Sequence, residues 1–262
     1  MKAAVVPFSR GAAWLREGWR LYRVAPMTWL SVMLGYWLVI LGTSALQYLQ
    51  AVVVLLVPAI SVGFMALSRK CAAGEPPSAA ELFSGFRSGF QRQLILGVVH
   101  LALMLLVLLV TRSVEGGALE RWMATRDPEV MSQALFVLAV MLATYAQLVL
   151  LFWFAPVLVA WHDTGVAKAL FFSYFSCLLN WRAFAGYGIA MAVVLFLVPV
   201  LFMSLLNLVV PGLKPGQLMA AIATFLLALM PMIYASFYAS YRDVFGPGDT
   251  QRAPQEPGSS PQ

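Results

Sequence analysis

Residues 94–111 read LILGVVHLALMLLVLLVT, and no charged side chain interrupts them. A charge-free apolar run of this length is long enough to cross the roughly 30 Å hydrocarbon layer of a bilayer as a helix. No soluble domain could cover several such runs, and this chain has several. Its 262 residues are 61% hydrophobic and 11% charged, against about 45–50% and about 25% in ordinary soluble domains. The apolar runs are continuous and do not alternate as barrel strands do. Because lipid cannot satisfy a free backbone amide, continuous runs predict helices.

Six spans are expected, over 27–49, 50–68, 94–112, 131–161, 186–207 and 217–241. Reading 27–68 as a single helix would make it about 60 Å long, so a tight turn is expected near Gln47 to Gln50. Arg10, Arg16, Glu17, Arg20 and Arg23 precede the first apolar run, which is unlike a secretory leader. The first true span is expected to act as an uncleaved insertion signal.

Lysine and arginine set the expected orientation. Of the 17 in the chain, Arg112, Arg121, Arg126 and Lys214 fall on one side of the six-span plan, and the rest fall on the other. The positive-inside rule then puts both termini in the cytoplasm. In a membrane protein a net charge of +6 points to anionic headgroups and topology, and no nucleic-acid partner is expected. The domain plan is a segment 1–26 with an amphipathic interfacial helix, a membrane domain 27–245 with further interfacial helices near 79–92 and 165–183, and a disordered tail 246–262 rich in proline and glycine.

The fold class expected is all-α, with the six spans arranged as three repeats of one interfacial helix and two spans. LREGWRLYR from Leu15, LFSGFRSGF from Leu82 and LFFSYFSCL from Leu170 each read leucine, two residues, a small residue, an aromatic. The small–aromatic pairs are Gly18-Trp19, Gly85-Phe86 and Ser173-Tyr174. Each even-numbered span carries an internal proline: Pro58, Pro156 and Pro231. Proline removes a helix hydrogen bond and kinks the span; three facing kinks would open a wedge between them, but the preferred reading is that they only let the bundle pack. In the first segment, Leu15, Trp19 and Tyr22 lie near one face and Arg16, Arg20 and Arg23 on the other, as in a helix lying in the interface.

GWRLYRVAPMTWL, LFSGFR, WFAPVLV, CLLNW and YRDVF together resemble a family of small bacterial integral inner-membrane proteins of unknown function. The resemblance covers residues 10 to 246. It implies an inner-membrane location and a family-specific role for Pro58, Trp153, Pro156, Asn180, Trp181, Arg242 and Asp243. More remotely, the repeated plan is similar to the membrane domain of some glycerophosphodiester phosphodiesterases. Their catalytic domain has no counterpart here, so the resemblance brings no catalytic residue.

The chemistry-bearing residues are sparse. Cys71, His100, His162 and Cys177 fall toward one side but lack short-spaced pairs, so no metal is expected. Cys177, His162 and Asp163 supply the parts of a triad by type, yet His162 and Asp163 are adjacent, and no nucleophile elbow or phosphate loop occurs. Neither a catalytic residue nor a cofactor is expected. For transport, the polar residues at depth are Thr43, Ser44, Ser61, His100, Thr144 and Gln147. None is acidic, so a coupled carrier lacks its usual relay.

The stretch WHDTGVAKALFFSYFSCLLNWRAF, 161–184, gathers polar groups. Asp163 and Thr164 are expected to cap a helix. Ala169, Ser173, Ser176, Cys177 and Asn180 form one small polar face on it. The expected function is non-enzymatic binding of anionic lipid headgroups or a partner protein at the cytoplasmic face, through Arg16, Trp19, Arg20, Arg23, Asn180, Trp181 and Arg242. The alternatives are an uncoupled small-solute carrier or pore, then a membrane-embedded enzyme.

Overall fold

The computed structural model describes residues 3–246 other than Ala45, Arg126, Pro211 and Leu213. The expectation for the tail therefore lies almost wholly outside the described residues. The helices are α1 Ser9–Val24, α2 Pro26–Ser44, α3 Gln47–Ala73, α4 Ser84–Arg87, α5 Phe90–Glu115, α6 Ala118–Thr125, α7 Pro128–Phe152, α8 Ala155–His162, α9 Val166–Leu179, α10 Trp181–Ala192, α11 Val198–Val209 and α12 Pro215–Phe245. A 3₁₀ turn, Ala79–Phe83, precedes α4, and a π-helical turn, Val193–Leu197, joins α10 to α11.

Six segments are long and apolar enough to cross a membrane: Pro26–Ser44, Tyr48–Ala73, Phe90–Glu115, Val130–His162, Trp181–Val209 and Gly216–Phe245. The fifth begins at Trp181, ahead of the expected 186, because Trp181 to Phe184 continue the helix directly from Asn180. The π turn inside it lies just before Pro199. With no N–H, Pro199 cannot bond Leu195, and the Val198 amide reaches back to Val193 instead. The loop after α5 is not plain coil, since it contains α6.

The amide of Ala4 donates to the carbonyl of Val244 at 2.8 Å, so both ends of the described chain lie on one face, termed here the terminal face. The core sits toward this face. Phe64, Leu67, Phe154, Leu158, Ala235 and Tyr241 are buried there, contributed by the C-terminal parts of α3 and α12 and by α8. Away from that face the helices expose Leu105, Leu109, Phe136, Phe196, Leu205 and many more large apolar side chains. In lipid such side chains face hydrocarbon, and the bundle needs no second core to hide them.

The helix α1 lies against α10 and α12. It buries Gly11, Trp14, Leu15, Gly18 and Leu21, whereas Trp19 is exposed. The face that docks is therefore rotated from the Leu15, Trp19, Tyr22 face expected of a helix lying flat. Glycine decides this. The backbone of Gly11 meets Ala183 and Tyr187, and that of Gly18 meets Met232 and Ser236, so closely that a Cβ has no room. Small residues let helix backbones approach in this way.

Close contacts recur beside the prolines of the even-numbered spans. The site where a Gly85 Cβ would stand is filled by the carbonyl of Ala59, the residue after Pro58. The residue after Pro231 is Met232, whose carbonyl fills the corresponding place at Gly18. At the third kink, the Ser173 hydroxyl donates to the Leu150 carbonyl at 2.9 Å and accepts from the Phe154 amide at 2.9 Å. Those two groups would otherwise bond each other within one helix. The hydroxyl is thus inserted into the ladder, and the fourth span breaks into α7 and α8 two residues before Pro156.

Candidate functional site

Four charged residues join the two ends of the chain. Arg10 is bidentate on Asp243, with Nε to Oδ2 at 2.6 Å and a second guanidinium N–H to Oδ1 at 2.8 Å. Trp14 Nε1 also donates to Asp243 Oδ2, at 2.8 Å. Arg10 further bonds Glu17 Oε1 at 2.9 Å, and Glu17 Oε2 pairs with Arg242. The hydrogen bond from Arg10 to Asp243 outweighs partial burial and raises the guanidinium pKa above its ordinary value. Two cations and two anions neutralise one another inside it.

Beside this neutral network, α1 presents a cationic face. Arg16, Trp19, Arg20 and Arg23 are exposed. The Arg23 guanidinium lies 5.8 Å from the Trp19 ring centroid, and Trp19 and Tyr22 are 5.4 Å apart. Among the described residues, no carboxylate lies within ion-pair distance of Arg16, Arg20 or Arg23. Exposed Arg87 on α4 and Lys168 on α9 add to the same face. Trp181 is 61% exposed, with the Arg182 guanidinium 5.6 Å from its ring. Arg69 lies over Trp161 at 4.4 Å.

Asn180 and Arg242 differ from these. Asn180 is 1% exposed, and its amide is bonded within the chain. The oxygen accepts from Val6 N–H at 2.8 Å, and the nitrogen donates to Ala4 O at 2.9 Å and Ser176 O at 3.0 Å. It clamps the segment before α1. Ala169, Ser173, Ser176 and Cys177 are buried on the same face of α9. Asp163, the non-glycine residue with positive φ (50°), ends α8 and pairs with Arg92 at 2.6 Å. Thr164 donates to the Leu158 carbonyl. Both therefore serve α8, and Gly165 stands at the start of α9 without a side-chain cap.

The other candidates are dispersed. His162 Nε2 lies 2.7 Å from the Tyr241 hydroxyl. Burial pushes the Cys177 thiol up, away from the thiolate a nucleophile needs. Among the described residues, no group of three metal-ligating side chains forms. Thr43, Ser44, Ser61 and Thr144 return their hydroxyls to carbonyls of their own helices, and Gln147 accepts from Tyr174 at 2.8 Å. Glu17 and Arg10 were not singled out by sequence. The signal that could have found them is charge: Glu17 is the sole acid ahead of the first span.

A protein of Burkholderia thailandensis that bears the name probable inner membrane protein is 34% identical over 279 aligned positions, covering 99% of this chain and 97% of that protein. This chain belongs to its family. The match spans nearly the whole chain, the six candidate membrane spans included. No protein-family model and no solved structure matches the chain.

Proposed function

We propose that this integral membrane protein is a non-enzymatic binder of anionic lipid headgroups, acting at the terminal face, and that this face is cytoplasmic. The observation that carries the reading is the division of arginines on α1 and α12. Arg10 and Arg242 are neutralised by Asp243 and Glu17, while Arg16, Arg20 and Arg23 stand exposed without a carboxylate. Each exposed cation near an anionic surface contributes about 1 kcal/mol. Trp19 beside them suits the headgroup level. The excess of lysine and arginine on this face supports the cytoplasmic assignment.

The threefold plan belongs to the same proposal. Gly18, Gly85 and Ser173 each touch backbone next to one of the three kinks, which supports three copies of one unit. In that plan each short segment covers the even-numbered span of the preceding copy, and α1 covers that of the last. Arg20 and Arg87 then stand at matching positions, two residues after Gly18 and Gly85, and Lys168 adds a cation five residues before Ser173.

The test is to replace Arg16, Arg20 and Arg23 together by Gln. Native mass spectrometry of protein taken from mixed phosphatidylglycerol and phosphatidylcholine nanodiscs should show loss of retained anionic lipid, with phosphatidylcholine unchanged. Retention should also fall with salt in the parent protein. Equal anionic-lipid retention in parent and variant would refute the reading. Transport is less well supported, because the hydroxyls at depth are bonded within their own helices.

A further inference from the structure

A cavity of about 340 Å³ lies between α3, α5, α7, α8 and α12. Its wall passes all three kinks: Val57 adjoins Pro58, Pro156 lines it directly, and Tyr234 follows Pro231 by one turn. The elements α3 and α12 pack together, and α5 packs on both α3 and α7, but α7 and α12 do not pack closely. The gap is bridged at one level by Trp153 on Phe237, with ring centroids 4.6 Å apart. The cavity lies between helices that are long and apolar enough to cross a membrane.

The wall is apolar and aromatic, and it holds no Asp, Glu, Lys or Arg. A charged headgroup entering it would lose its hydration without a counter-charge. The polar groups are few. Ser61 is bonded to the Pro58 carbonyl at 2.7 Å. His100 is the exception, since its Nδ1 is buried without a hydrogen-bond partner. The ring also stands beside the backbone of Val54. The group free there is the carbonyl, because Pro58, four residues on, has no N–H to offer it. In the neutral tautomer with its proton on Nε2, which can serve that carbonyl, Nδ1 is an acceptor. Phe152, 4.8 Å away edge to face, fixes the ring.

Besides the Tyr145 and Tyr234 hydroxyls, the wall of this apolar cavity carries one buried, unpartnered nitrogen, and that defines its complement. We propose that it binds a single uncharged lipid alcohol, whose hydrocarbon chain lies among Phe64, Phe152, Tyr234 and Phe237 and whose hydroxyl donates to His100 Nδ1. The volume is at the small end of ligand cavities, about 300–1,000 Å³, and suits one chain. This site is separate from the arginine face and stands or falls independently of it.

The test uses the full-length protein in phosphatidylcholine nanodiscs, with partition into empty nanodiscs subtracted. Radiolabelled hexadecanol should bind saturably. Hexadecyl methyl ether, which has the same chain and no donor, should bind about tenfold more weakly. His100→Leu should abolish the preference of alcohol over ether, and Val149→Trp, which fills the cavity, should abolish binding of both. Competition by dioleoylglycerol supports a membrane lipid as the source, and its failure beside retained hexadecanol binding supports a free alcohol. Equal binding of alcohol and ether by the parent protein, no saturable binding of either, or density showing water alone on His100 at saturating hexadecanol would overturn the proposal. If Val149→Trp does not fold, the alcohol-to-ether ratio in His100→Leu still decides.

Discussion

Replacing Asp243 by Ala should release α1 from the bundle. Asp243 accepts three hydrogen bonds, two from Arg10 and one from Trp14, at 2.6, 2.8 and 2.8 Å. A hydrogen bond to a charged group contributes about 1.5–3 kcal/mol net, but these three do not add. Arg10 keeps Glu17 as a partner, and its side chain is 35% exposed, so water screens part of the loss. Trp14 is fully buried and would be left with an unbonded indole N–H. Together these give about 3 kcal/mol, or roughly a hundredfold shift toward the undocked helix. Hydrogen–deuterium exchange in nanodiscs reads this directly, because local opening sets the exchange rate of α1 amides. Peptides within residues 9–24 should exchange about a hundredfold faster, while those within 94–112 stay as in the parent. Asp243→Asn, which keeps an acceptor for Trp14, should show a smaller effect. Unchanged α1 exchange in Asp243→Ala would refute the idea that this carboxylate holds the helix, and equal acceleration in α5 would show global loosening instead.

Ser173→Ala removes the hydroxyl between Phe154 N–H and Leu150 C=O. It should cost about 2 kcal/mol, seen as a lowered unfolding midpoint in detergent, while Ser88→Ala at the start of α5 should lie within about 0.5 kcal/mol of the parent. Gly85→Ala should cost about 1–3 kcal/mol by overpacking against Ala59, whereas Gly35→Ala, whose Cβ would meet nothing within 4 Å, should be neutral or stabilising by the same unfolding assay.

Much of the architecture is readable in the chain because hydropathy acts locally. The run 94–111 announces its own span. The small face of α9 is legible too, since spacing alone groups Ala169, Ser173, Ser176 and Cys177. Other features depend on partners distant in sequence. Arg10 and Asp243 are separated by 233 positions, and nothing near either one names the other. Asn180 before Trp181 invites a reading as a ligand site, but its partners are Ala4 and Val6, which only the folded chain brings near. The docking face of α1 was misjudged for a related reason. Trp19 and Tyr22 suggest an interfacial helix by their chemistry, but backbone approach at Gly11 and Gly18 decides which side turns inward. The cavity falls between these cases. The three prolines are visible in the chain, although packing alone would explain them, while the unpartnered nitrogen of His100 shows only in the folded structure.

The seat of α1 lies on α10 and α12, the last parts of the membrane domain to be made. Ribosomes release the first helix long before its seat exists, so α1 must wait at the membrane surface while five spans are inserted. Only when α12 arrives do Gly18 and Trp14 find Met232 and Asp243. Docking of α1 is therefore a signal that synthesis has reached Phe245. A chain halted earlier would carry an unseated helix, with the face that holds Trp14, Leu15 and Gly18 uncovered. In that sense the contact between the two ends serves as a seal as well as a joint.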